Sequence, residues 1–225
     1  MKRKRNEKRI LLSGTVCTAL FVIWTLLVRI IDVKPVGPCG SAVGFAALNS
    51  WFHQLTGVHM RLYVITDWLS LVPIAVCMLF STVGFIQWTT RRKLSKVDFD
   101  IILLGVYYVV VIAGYLFFEM VPVNYRPVLI DGMLEVSYPS STTLLVCSVM
   151  PTFTFQTSRR VNNIPGKILL QGVICLFTVF MAAGRLVSGV HWLTDIVGAV
   201  LLSGGLFYIY KGIVLIHDRK PIGRV

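Results

Sequence analysis

Acidic residues are scarce in this chain: 10 Asp+Glu stand against 22 Lys+Arg, and charged residues make up only 14%. A soluble domain usually carries about 25% charged residues, so the shortage argues against a water-soluble fold. Cysteine is also sparse. Cys17, Cys77, Cys147 and Cys175 lie in apolar runs and Cys39 stands alone in a connecting segment. No metal-ligand spacing or disulfide framework emerges, and the thiols read as small buried hydrophobes. Internal repeats and a separate soluble segment are absent. The basic start is not followed by a short apolar run ending in small residues, so no cleavable signal peptide is expected.

What is present in quantity is apolar sequence, 56% of the chain. Roughly 20 apolar residues cross the hydrocarbon core as a helix. Six stretches qualify, at residues 10–31, 62–87, 99–118, 140–155, 168–187 and 192–216. The second is interrupted by Pro73 and the fourth is short. Between the first two, Ser41 is placed to cap a short helix. In it Gly44, Leu48, Trp51, Phe52 and Leu55 share one face and Asn49, His53 and Gln54 the other, the pattern of a helix lying in the interface. His53 and His59 read as interfacial polar residues, and Asp67 as a helix-end acid near the headgroups. The expected fold is all-α: one membrane-embedded domain over residues 1–225, a six-helix bundle with an interfacial amphipathic helix between spans one and two.

The net charge of +12 would suggest nucleic acid in a soluble protein; here it reports topology. Of the 22 basic residues, 16 fall in residues 1–9, the loops after spans two and four, and the end of the chain, and a further one, Lys211, lies in the last turns of the sixth span. The positive-inside rule then places both termini in the cytoplasm. The 119–139 loop and the 184–191 turn face the extracytoplasmic side. With no targeting sequence beyond the spans, a bacterial plasma membrane is the expected location.

Against this apolar background, Gly184 to Gly198 carries Arg185, His191 and Asp195. Ionisable residues at membrane depth mark functional sites by default. On a helix, His191 and Asp195 would lie one turn apart on the same face. A carboxylate there can fix the imidazole tautomer and raise its basicity, and Arg185 offers a positive fork for phosphate. On the same side, Asn124-Tyr125-Arg126-Pro127 precedes Ser137-Tyr138-Pro139-Ser140-Ser141-Thr142-Thr143. Pro139 introduces a helix whose free N-terminal amides form an anion site.

In these blocks the chain resembles the type 2 phosphatidic-acid phosphatases, membrane relatives of the vanadium haloperoxidases. Their Lys-x6-Arg-Pro, Pro-Ser-Gly-His and Ser-Arg-x5-His-x3-Asp blocks stand here as Glu119 to Arg126-Pro127, Pro139-Ser140-Ser141-Thr142, and Gly184-Arg185 to His191 and Asp195. The resemblance implies His191 as a nucleophile forming a phosphohistidine, Asp195 as its orienting partner, and Arg126, Arg185, Ser140 and Ser141 as phosphate-binding residues. No metal or cofactor is called for. Three departures stand out: Glu119 for Lys, Gly184 for Ser, and Thr142 for the general-acid His.

A threonine hydroxyl donates a hydrogen bond but delivers no proton near neutral pH. A lipid alcohol, with a pKa of roughly 15, needs a proton as it leaves, whereas a departing phosphate ionises around 6. Thr142 therefore shifts the expected substrate toward a lipid diphosphate such as a polyprenyl diphosphate. Glu119, if buried and protonated, is a rival proton source. Two other classes compete with a lipid phosphatase. A catalytically weak relative that only binds an anionic lipid head would not need an oriented nucleophile. A transporter would show broken, repeated spans near the midplane.

Overall fold

The computed structural model describes residues 2–219, with side chains described from residue 6 onward. The basic side chains expected at residues 2–5, together with Lys220 and Arg224, lie outside the described residues. Among those described, the chain forms eight α-helices and no strand: α1 (Lys2–Ile30), α2 (Ala46–Thr56), α3 (Met60–Leu69), α4 (Leu71–Arg91), α5 (Phe99–Met120), α6 (Ser141–Arg160), α7 (Ile164–Val187) and α8 (Leu193–His217).

α1 begins eight residues earlier than its apolar run, because the lysines and arginines ahead of Ile10 are good helix formers and nothing interrupts them. The second span is two helices, broken at Ser70. Pro73 has no N–H to donate to the Leu69 carbonyl and its ring crowds that position, and the Ser70 N–H turns to the Asp67 carbonyl at 3.0 Å.

Ser41 does not cap α2. It closes a 3₁₀ turn over Pro38–Gly40 instead, donating to the Pro38 carbonyl at 3.0 Å. α2 starts after Phe45, and its first amides are met by Asp32: Ala46 N–H donates to the Asp32 carbonyl (2.9 Å) and Ala47 N–H to its carboxylate (2.7 Å). The helix is amphipathic as expected, but on its polar side Asn49 faces the protein, His53 is half-buried and Gln54 is exposed. Asn49 is fully buried while Trp51 and Leu55 are exposed.

Among the described residues five spans are long and apolar enough to cross a membrane: Asn6–Ile30, Met60–Arg91 (α3 with α4), Phe99–Met120, Ile164–Val187 and Leu193–His217. α6 falls short by composition, and its place in the bundle explains why. Half of its 20 residues are buried, and its polar groups find partners on neighbouring helices. The Tyr107 hydroxyl donates to the Ser148 carbonyl at 3.0 Å, Tyr108 meets the Thr152 hydroxyl at 2.9 Å, and Gln156 bonds Tyr210. Polar side chains are tolerated in a membrane helix when other helices satisfy them, so hydropathy under-reports this one. The apolar core runs from Phe21 and Val28 of α1, through Leu104 and Val111 of α5 and Leu144 and Val149 of α6, to Ala199 and Leu202 of α8.

At one end of the bundle the start of α5 and the ends of α6 and α8 are clamped by Asp100. Its buried carboxylate accepts from Arg159 (3.3 Å) and Arg160 (3.0 Å), Arg159 also pairs with Asp218 (2.6 Å), and the Tyr210 hydroxyl donates to the Asp100 carbonyl (3.2 Å). Removing one member of a buried ion pair leaves the others uncompensated. Asp100→Ala should therefore destabilise the bundle by about 1–3 kcal/mol, read as a lower thermal midpoint in detergent, while activity below that midpoint persists because the clamp lies far from the site described next.

Candidate active site

The opposite end gathers the connections before α2, between α5 and α6, and between α7 and α8. Its centre is the turn from Ser188 to Trp192. Gly189 carries a φ of +69°, and a Cβ there would lie 2.0 Å from the Gly57 carbonyl oxygen; only glycine allows this turn to lie against the start of α3. His59 N–H donates to the Ser188 carbonyl at 2.9 Å and the His53 ring meets the Gly189 carbonyl at 3.1 Å.

His191 is not on a helix. It precedes α8, and Asp195 is the third residue of that helix, so the two meet because the turn folds back over the helix start. Asp195 is fully buried. One carboxylate oxygen accepts from the Asn124 amide (3.1 Å), the other from the Trp192 N–H (2.9 Å). The second oxygen lies 3.6 Å from His191 Nδ1, a separation of the kind that tightens on substrate binding. On the other edge of the ring Nε2 faces Arg126 Nη1 at 3.4 Å. An arginine can only donate, so Nε2 is the acceptor and Nδ1, toward Asp195, carries the hydrogen. Burial, reinforced by the charges of Arg126 and Arg185 and opposed by Asp195, pulls the His191 pKa down to about 4. The imidazole is neutral at neutral pH, with a lone pair pointing at the guanidinium.

Two arginines flank a single ring. Arg185 lies with its guanidinium 4.7 Å from the centre of Tyr63, and Arg126 at 5.8 Å from the same centre. Each also has a carboxylate: Glu135 is 2.9 Å from Arg126 Nε, and Asp67 3.6 Å from Arg185 Nη1. Arg126 is positioned by a short hairpin-like loop in which its N–H donates to the Glu135 carbonyl (2.9 Å) and Ser137 N–H to the Asn124 carbonyl (3.0 Å). Arg185, almost fully buried, lies in the last turn of α7. The preceding Gly184 has a physical reason for being glycine. A Cβ there would come within 2.8 Å of the Thr66 methyl, so Thr66 of a neighbouring helix packs into the space a serine side chain would need, and its hydroxyl lies 3.5 Å from Arg185 Nη1.

The second block divides. The buried Ser140 hydroxyl donates to Thr143 (3.0 Å) and its N–H to the Asp195 carbonyl (3.3 Å). Ser141 borders a small space shared with His191, Tyr115 and Glu119. Ser141 and Thr142 also line a larger cavity of about 290 Å³, with Asp67 and Tyr115 at one part and Val111, Ile112, Leu144 and Leu145 along the rest. Their amides belong to the first turn of α6 and have no acceptor within the helix. Glu119 is exposed at the end of α5. No group of three or more His, Cys, Asp or Glu able to hold a metal occurs among the described residues.

Residues 99–217, more than half of the chain, match the family model described as the PAP2 superfamily. The chain belongs to the PAP2 superfamily. Its fold is similar to the crystal structure described as that of the first transmembrane PAP2 type phosphatidylglycerolphosphate phosphatase from Bacillus subtilis, with a TM-score of 0.63 at 14% identity over 93% of this chain and 98% of that one. No curated protein sequence matches at a significant level. The protein is therefore a multi-pass membrane member of this superfamily. Sequence reasoning named both arginines, His191 and Asp195, but missed Tyr63 and Thr66, and the parts played by Asn124 and by Asn49, whose amide donates to the Thr194 hydroxyl at 3.0 Å. The 49, 63 and 66 positions lie outside the matched region, and only their tertiary placement identifies them.

Two outcomes follow from this geometry. Because His191 is held neutral, kcat/KM should keep its value as pH falls through 6.5 and decline only toward 4–5, whereas an ordinary histidine would titrate near 6.5; a pH–rate profile decides this. Tyr63→Leu removes the ring shared by the arginines. With a cation–π contact contributing about 0.5–2 kcal/mol, affinity for inorganic phosphate, measured as product inhibition, should fall about 3- to 30-fold, with Tyr63→Phe close to wild type.

Proposed function

We propose that this protein is a lipid phosphatase that works on the extracytoplasmic side of the membrane through a phosphohistidine, with preference for a lipid diphosphate. The observation that carries the reading is the convergence on one buried imidazole nitrogen of an arginine fork at 3.4 Å, while the other ring nitrogen faces a carboxylate held by two donors. That is the arrangement a phosphoryl acceptor requires: a neutral nucleophile, fixed tautomer and positive charge around the phosphoryl oxygens.

In the first step Nε2 of His191 attacks phosphorus, the bond from phosphorus to the bridging oxygen breaks, and the electron pair leaves with the lipid-borne oxygen. Asp195 stabilises the charge that develops on the ring. Arg126 and Arg185 exchange carboxylate partners for phosphoryl oxygens, and the first-turn amides of Ser141 and Thr142 add donors. Water then attacks the phosphohistidine, releasing inorganic phosphate and restoring the imidazole. The apolar wall of the neighbouring cavity suits the beginning of a lipid chain.

Thr142 and the exposed Glu119 support the diphosphate preference. Neither supplies an acid for an alkoxide, and a phosphate leaving group does not need one. General-acid help typically contributes about 10²–10⁴-fold, so monophosphate esters suffer by up to that factor. Orientation rests on the basic residues at the opposite end; the location consistent with these features is a bacterial plasma membrane.

Phosphate release from matched polyprenyl mono- and diphosphates tests the reading, with His191→Ala as control. The diphosphate should be favoured by at least 10-fold and acid-labile phosphate should be trapped on wild type but not on the variant. Equal rates would remove the diphosphate preference, and lipid binding without turnover would leave a head-group binder. Asp195→Asn should cost about 10²-fold or more in kcat, since it removes the group orienting Nδ1–H.

A further inference from the structure

A second groove lies at the other end of the molecule, between α6, α7 and α8. Its volume is about 490 Å³, and Pro151, Phe155, Ile174, Val179 and Phe207 supply most of its wall. Into this apolar channel project Lys211 and Gln171. Lys211 lies six residues before the end of α8, about 9 Å along the axis at roughly 1.5 Å per residue. It is thus within the span, where a lone cation is expensive.

The partners of this cation are rings. Its ammonium lies 5.6 Å from the centre of Phe155 and 5.7 Å from that of Phe207, and among the described residues no carboxylate pairs with it. The acids nearby are committed elsewhere: Asp218 to Arg159, and Asp100 to Arg159 and Arg160. Lys167 is bonded to the groove, donating to the carbonyl of the lining residue Ser158 at 3.3 Å. An uncompensated positive charge on two aromatic faces, at the head of an apolar groove and beside a second lysine, calls for an anion that carries a hydrocarbon chain.

We infer that this groove binds an anionic phospholipid of the leaflet at the basic end, its phosphate on Lys211 and Gln171 and one acyl chain along α7. This is a site distinct from the active site, because Lys211 lies 16 residues beyond Asp195 on the same helix, about 24 Å away. The inference does not depend on the phosphatase reading, since it uses none of the residues of that site.

Native mass spectrometry of the full-length protein in detergent, titrated separately with phosphatidylglycerol and phosphatidylcholine, tests it. To keep lipid out of the active site, the titrations are run on His191→Ala with saturating inorganic phosphate, in the presence and absence of Lys211→Gln. The protein with Lys211 should retain phosphatidylglycerol at least 5-fold better than phosphatidylcholine, and Lys211→Gln should abolish the difference while Lys211→Arg keeps it. Equal retention of the two lipids, or a preference unchanged by Lys211→Gln, would overturn the inference. So would a dimer that lipid does not dissociate and Ile174→Trp disrupts, which would make a second copy of the chain the occupant. Thermal midpoints of the variants without added lipid identify any loss caused by misfolding, and the Lys211→Arg comparison then carries the decision.

Discussion

The carboxylate of Asp195 is the constraint on which the site end of this molecule depends. It receives the Asn124 amide from the α5–α6 loop and the Trp192 N–H from the turn before α8, and so ties two distant connections to one helix start. The same turn is held from the other side, where the Trp192 indole donates to the Tyr125 carbonyl at 2.7 Å and the buried Asn49 amide donates to the Thr194 hydroxyl at 3.0 Å. A buried carboxylate without donors would be costly. Because its donors come from separate segments, satisfying it joins the arginine loop to the histidine turn, and the Asn49–Thr194 bond adds α2 to the same helix start.

The arginines obey the same economy. Two guanidiniums close enough to act on one imidazole repel each other, and the structure offsets that with the ring of Tyr63, which both approach, and with the carboxylates of Glu135 and Asp67. The site is thus charged yet nearly balanced before substrate arrives, which allows it to exist close to the membrane.

Stability and chemistry are separated along the bundle. At the basic end, Asp100 and its two arginines join three helices, and α6 threads between, with its polar side chains bonded to tyrosines of α5 and α8. α6 begins at the candidate active site and ends at this clamp. A helix packed on so many sides needs little lipid-facing hydrophobicity, which is why its composition is the least membrane-like of the spanning set.

Much of this was legible in the amino-acid sequence, because apolar length dictates spanning helices and ionisable residues amid apolar sequence are few enough to single out. Residue order alone determined the all-helical membrane class and the cluster of Arg185, His191 and Asp195, and the family resemblance added that Thr142 stands where the family's second block has a histidine. It misjudged the helical placement of His191, the cap at Ser41 and the start of α1, since turn geometry and long-range capping by Asp32 do not appear in periodicity. Only the tertiary structure decided that Tyr63 lies between two arginines, that Thr66 stands where Gly184 leaves room, and that Asn124 reaches Asp195. These contacts join residues about 60 to 120 positions apart, and no local pattern encodes which distant side chain will satisfy a buried charge.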